Sequence, residues 1–177
     1  KIITLFIALT IIVAGVFYLQ RAKATITAFT IVPVVAGTDD VVAVDAKYDV
    51  SYISDGTGTV STIFVTFPND YSLMSLGIHD ATTLIQSDSS TGGAISINGI
   101  DAPVSLNITG QTLEIALSGP FDYSTTPGSD TISFRILRQV NNTTVARIVD
   151  ATEYTIDDDS GDNDPVTAAA NVTIIPG

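Results

Sequence analysis

From Ile2 to Leu19 the chain runs 18 residues without a charge, reading IITLFIALTIIVAGVFYL behind an opening lysine. At 1.5 Å per residue this is roughly 27 Å of helix, about the depth of a bilayer core. Thr4, Thr10 and Tyr18 are its polar members, so the run has no wet face. A helix of that kind must be surrounded by lipid or by other apolar helices. The run therefore predicts a hydrophobic helix over residues 1–24, set apart from whatever follows it.

Residues 25–177 have the length of one domain with a core of its own. Every acidic residue lies at or after Asp39, and from Thr25 onward four basic residues face nineteen acidic ones, a net charge of −15. Nucleic acid and anionic lipid surfaces repel such a domain, whereas salty water and divalent cations suit it. The acids comprise seventeen Asp against Glu114 and Glu153, a balance that favours turns over helices. Cysteine is absent, so no disulfide contributes. Few charges with abundant Thr, Ser, Val and Ile suggest an exported β protein.

Strand signals follow at short spacing. STIFVTF puts Ile63, Val65 and Phe67 on one face, TLEIAL does the same for Leu113, Ile115 and Leu117, and TISFRI for Ile132, Phe134 and Ile136. Asp55-Gly56-Thr57-Gly58, Asn98-Gly99, Thr109-Gly110 and Asn141-Asn142 are turn signals between them. Pro33 marks a bend or an edge, and Pro68 ends its strand. Eight or nine strands are expected, arranged as an antiparallel, loosely immunoglobulin-like sandwich, with a barrel as the structural alternative. With the N-terminal helix, the expected class is α+β: helix 1–24, then a sandwich head over 25–177.

Chemistry-bearing patterns are sparse. His79 is the sole histidine and reads as a surface loop residue, and no serine stands in a nucleophile-elbow or P-loop pattern. An enzyme is not expected. In DDDSGDND, Asp157, Asp159, Asp162 and Asp164 are candidate ligands for a hard cation such as calcium, with Gly161 allowing a sharp turn. The same loop also reads as a hydrated connection. Four sequons place candidate N-linked glycans at Asn107, Asn141, Asn142 and Asn171, the first three at expected turns. No cofactor is expected beyond that candidate Ca2+.

Two readings of the first 24 residues compete. Ala22-Lys23-Ala24 has the A-x-A form of a signal-peptidase site, which would release a secreted β-sandwich beginning at Thr25. Such a protein could polymerise by donating TITAFTIVPVV to a neighbour's sheet. Alternatively the chain is processed upstream of Lys1 and keeps its apolar helix. That second arrangement resembles the type IV pilin superfamily, in which a hydrophobic N-terminal helix precedes a globular head. Lys1 and Leu5 stand where bacterial pilins carry Phe and Glu; an acid-free helix, β strands and four sequons are more similar to archaeal pilins and archaellins. The resemblance implies an extracellular helical homopolymer for adhesion or motility, membrane-embedded before assembly. It implies a core helix using Ile3, Phe6, Leu9, Ile12, Gly15 and Val16, with Ala8, Ala14 and Gly15 allowing close approach.

Overall fold

The computed structural model describes residues 25–55, 58–73, 85–86, 94–97, 100–123, 130–161 and 165–177. The expected helix over 1–24, with Ile3, Phe6, Leu9, Ile12, Gly15 and Val16, lies outside the described residues, as do His79, Asp162 and Asp164.

The described residues form thirteen strands: β1 (Thr25–Pro33), β2 (Asp45–Asp55), β3 (Thr59–Thr66), β4 (Ser72–Leu73), β5 (Ile85–Gln86), β6 (Ala94–Ile97), β7 (Ile100–Thr109), β8 (Thr112–Asp122), β9 (Asp130–Asn141), β10 (Arg147–Val149), β11 (Thr155–Asp158), β12 (Val166–Thr167) and β13 (Val172–Ile174). The one helical element among the described residues is a 3-10 turn at Ala151–Glu153. It is fixed by Asp150 and Glu153 as a reciprocal capping box. The expected α+β class is thereby corrected: the described chain is all-β and sandwich-like. Its Thr, Val and Ile content favours extended backbone, and its Asp residues favour turns and loops. The strand count exceeds the expected eight or nine because two-residue ladders such as β4, β5 and β12 carry no alternation long enough to read.

One hydrogen-bonded path runs β1-β2-β9-β6-β7-β8-β3-β11-β12, with β4 and β5 also pairing to β9, while β10 and β13 form a separate two-stranded sheet. Immunoglobulin sandwiches keep two separate sheets. Here β7 pairs with β6 over Ile100–Pro103 and with β8 over Val104–Thr109, so hydrogen bonding passes from one layer into the other. The sheet folds over on itself, and the Ala169 N–H donates to Phe29 O at 2.9 Å where its two ends meet. Inside lies a continuous core from both layers, including Phe29, Tyr48, Val50 and Tyr52 on one side and Ile63, Val65, Ile115 and Ile156 on the other. Each such side chain contributes about 1.5–3 kcal/mol when fully buried.

The register gives the domain two ends. Thr25, Asp55, Thr59, Asp122 and Asp130 gather at the end where the chain enters. Pro33, Tyr48, Thr66, Thr112, Asn141 and Thr155 lie at the far end. The β7–β8 hairpin turns there through Gly110 and Gln111, and Gly110 has φ +63, the left-handed conformation glycine adopts without a Cβ clash.

Candidate functional site

The far end of the core holds an aromatic box. Tyr48, Phe67, Tyr71 and Tyr154 meet at ring-centroid separations of 5.6–6.4 Å, mostly tilted or edge-to-face. The hydroxyls of Tyr71 and Tyr154 are 2.6 Å apart, and the Tyr48 hydroxyl donates to Oδ1 of Asn142. Asn142 is 2% exposed, and its Nδ2 donates to Asp39 O at 2.7 Å and Val41 O at 2.8 Å. Asp39 is itself buried; its carboxylate accepts from the backbone N–H groups of Val35 and Lys47. One amide thus ties the box to the 34–44 loop.

The entry end holds a shorter relay. The hydroxyls of Tyr52 and Tyr123 lie 2.9 Å apart, and Tyr123 donates to Oδ2 of Asp158 at 2.6 Å. Asp158 is 3% exposed and accepts the Ser160 N–H on its other oxygen. Burial pushes all five of these tyrosines upward in pKa, Tyr52 and Tyr123 also through the neighbouring Asp158 charge. Ser54, cross-strand from Asp130 and buried beside it, is the one buried side-chain oxygen without a partner among the described residues.

The candidate calcium ligands are used otherwise where they are described. Asp157 accepts the Asp158 N–H, and Asp159 Oδ1 accepts from Ser61 N at 2.6 Å and Thr62 N at 2.9 Å, pinning the end of β11 to β3. Among the described residues, no group of three or more acidic, His or Cys side chains could hold a metal. Among the sequons, Asn142 is a core residue with its amide nitrogen committed twice, so it offers no acceptor to a glycosylating enzyme. Asn107 is exposed on β7, not in a turn, and donates to Glu114 at 3.1 Å. Asn141 ends β9 half-buried, and Asn171 is exposed just before β13 with Oδ1 accepting the Ala151 N–H. The strand considered for donation, β1, pairs with its own β2 from Thr25 to Pro33.

The two outer faces differ. On β1, β2 and β9, Thr30, Val32, Ser51 and Ser133 surround an open depression of about 300 Å³ beside the bidentate Arg135–Asp49 pair. Lys47 lies on the same side of β2 as Asp49, exposed, and the ion pairs among the described residues leave its ammonium without a carboxylate. On the other layer, Glu114, Phe64 and Asp157 are cross-strand neighbours along β8, β3 and β11, with Asp122 exposed further along β8. Hydrogen bonds from Thr109 and Asn107 hold the Glu114 carboxyl below its usual range. At the far end Val145 and Ile148 are each 64% exposed.

Sequence reasoning did not single out Asp39, Asn142 or Asp158 as interior residues. A signal existed for Asp158, which is in strand phase with Tyr154 and Ile156, and for Asp130, in phase with Ile132 and Phe134.

No helix among the described residues is long and apolar enough to cross a membrane. No family model matches the chain, and no curated protein matches its sequence. Among solved structures, the chain is similar to the crystal structure of BslA, a bacterial hydrophobin, at 11% identity and a TM-score of 0.43, over 86% of this chain and 98% of that one. At that level the likeness bears on neither function nor partner.

Proposed function

We propose that the chain is the structural subunit of an extracellular filament similar to an archaeal type IV pilus, with residues 1–24 as the assembly segment and the β domain displayed outside. The observation that carries it is the 18-residue uncharged run directly ahead of an acidic domain with its own core. Segment and domain have opposite solvent requirements. Before assembly the segment rests in lipid; afterwards the same segments of neighbouring copies surround it. At roughly 25 cal/mol per Å², a few hundred Å² buried per copy amounts to several kcal/mol relative to water. The interior polar groups of the domain support a scaffold role, since Asp39, Asn142 and Asp158 are committed to backbone and tyrosine partners.

Replacing Leu9 or Ile12 with Asp in the full chain abolishes filaments while the head keeps its near-ultraviolet circular dichroism. Filaments of normal length from either variant would sink the reading. The mass of the natural N-terminus separates it from the secreted alternative: Lys1 retained supports the filament, and a terminus at Thr25 supports cleavage after Ala24.

A further inference from the structure

We propose that Asn171 carries an N-linked saccharide whose first sugars lie over the outward face of β10 and β13 and cover Ile148. This requires an exported chain and holds for a filament subunit and a secreted domain alike. Four sequons are present, and the fold separates them. Asn142 is 2% exposed, with its amide nitrogen committed to two backbone carbonyls. Asn141 relies on Thr143 for its sequon hydroxyl, and Thr143 is 1% exposed with that oxygen accepting the Val145 N–H at 3.2 Å. Asn107 and Thr109 both hydrogen-bond to the Glu114 carboxylate, which closes their sequon on itself. Neither obstacle exists at Asn171. Asn171 and Thr173 are exposed, and so are Ala169 and Ala170 just before them, with no side chain past Cβ to crowd an approaching enzyme.

The Asn171 amide is held by its oxygen: Oδ1 accepts the Ala151 N–H at 2.8 Å, a bond that leaves Nδ2 out. In the transfer, Nδ2 forms a bond to the anomeric carbon of a lipid-linked saccharide. The bond from that carbon to the lipid phosphate breaks with its electron pair on the phosphate, and one Nδ2 proton passes to a base of the transferring enzyme. The product keeps Oδ1 and with it the bond to Ala151, so the fold accepts the sugar without rearrangement. The neighbouring ladder says where the sugar lies. Val172 and Val149 are cross-strand and buried, which puts Thr173 and its partner Ile148 on the outward face, and Asn171 continues that alternation. Asn171 and Ile148 are therefore diagonal neighbours about 7–8 Å apart, within reach of the first sugar rings. Ile148 is 64% exposed. A sugar ring has an apolar C–H side and a hydroxyl rim, so it can rest on that side chain while its hydroxyls stay in water.

Tryptic mass spectrometry of the natural protein tests the assignment, because cleavage after Lys47, Arg135, Arg138 and Arg147 puts Asn107, the Asn141–Asn142 pair and Asn171 in three different peptides. The peptide beginning at Ile148 should carry the added saccharide mass on Asn171, and the peptide holding Asn141 and Asn142 should be bare. A bare Asn171, a sugar on Asn141 or Asn142, or higher occupancy at Asn107 than at Asn171 overturns it. Thr173→Val, made in the natural host, removes the sequon and leaves the Asn171–Ala151 bond in place. It should lose the added mass, keep the melting temperature, and bind about twofold more of a hydrophobic dye through the uncovered Ile148. Adding Ile148→Ser should return dye binding to the wild-type level. Dye binding that ignores the loss of the sugar, or a rise that Ile148→Ser does not reverse, overturns the cover over Ile148. None of these outcomes depends on polymerisation, so a failure here leaves the filament reading to its own test.

Discussion

The two ends of the core solve one problem with different last partners. β2 supplies a tyrosine to each, Tyr48 to the far end and Tyr52 to the entry end, four residues apart on the same inner face. At the far end the hydroxyl chain finishes on Asn142, a neutral amide with several partners; at the entry end it finishes on the Asp158 carboxylate. A neutral hub spreads its loss over many bonds, whereas a buried carboxylate concentrates the loss on one charge. Interior tyrosines in a chain without tryptophan or cysteine thus need polar neighbours, and the kind of neighbour decides what each end is sensitive to.

The largest effect that tests this contrast is alkaline unfolding. Tyr48, Tyr52, Tyr71, Tyr123 and Tyr154 all have folded pKa values above the ordinary value near 10. Their contribution is therefore complete below that value and lost as pH rises above it, at about 1.4 kcal/mol per pH unit for each tyrosine. Five together remove a typical domain stability within one to two pH units. Absorbance at 295 nm should rise together with the loss of far-ultraviolet circular dichroism. Ionisation of the far-end three ahead of unfolding would show that the ends are not one cooperative core.

Asn142→Leu comes next, at about 3–5 kcal/mol in urea unfolding, since it strands two backbone carbonyls and leaves the Tyr48 hydroxyl only the Tyr71 hydroxyl at 3.4 Å. Tyr123→Phe should cost about 2 kcal/mol, removing a donor to Asp158 and the partner of Tyr52. A cost for Tyr123→Phe exceeding that for Asn142→Leu would reverse the ranking of hub over relay. The smallest effect is Arg147→Met, about 1 kcal/mol or less at low salt, because its pairs with Asp70 and Glu153 are partly exposed. Hydrogen bonds from Arg147 hold both carboxyls below their ordinary values, so this contribution is present above those values and disappears as pH falls through the lowered ones. Wild type and Arg147→Met should converge in stability at acid pH; a constant gap would mean that the packing of the arginine stem, not its charge, is what is lost.

Much of the strand framework was legible. Alternation in STIFVTF and TISFRI placed Ile63, Val65, Phe67, Ile132, Phe134 and Ile136 inside, where all six are buried. Gly110 turns the β7–β8 hairpin as Thr109-Gly110 indicated. The polar interior was less legible, because Asp is a turn and surface residue by composition and is recognised inside only by its phase with apolar neighbours. Asn142 was harder still: Asn141-Asn142 has turn chemistry, but Asn141 ends β9 and Asn142 turns inward to partners a hundred residues earlier. The crossing of β7 between layers depends on partners at both of its ends, and no local pattern encodes that.

The placement of β1 has a mechanical consequence. Thr25 lies at one end of the domain, and β1 runs from there to Pro33 against the antiparallel β2. Tension entering through the N-terminus is therefore directed along the strand, loading its rungs together in shear and not peeling them one by one. The ladder most directly exposed to a pull through the N-terminus is thus set in the geometry that resists extension best.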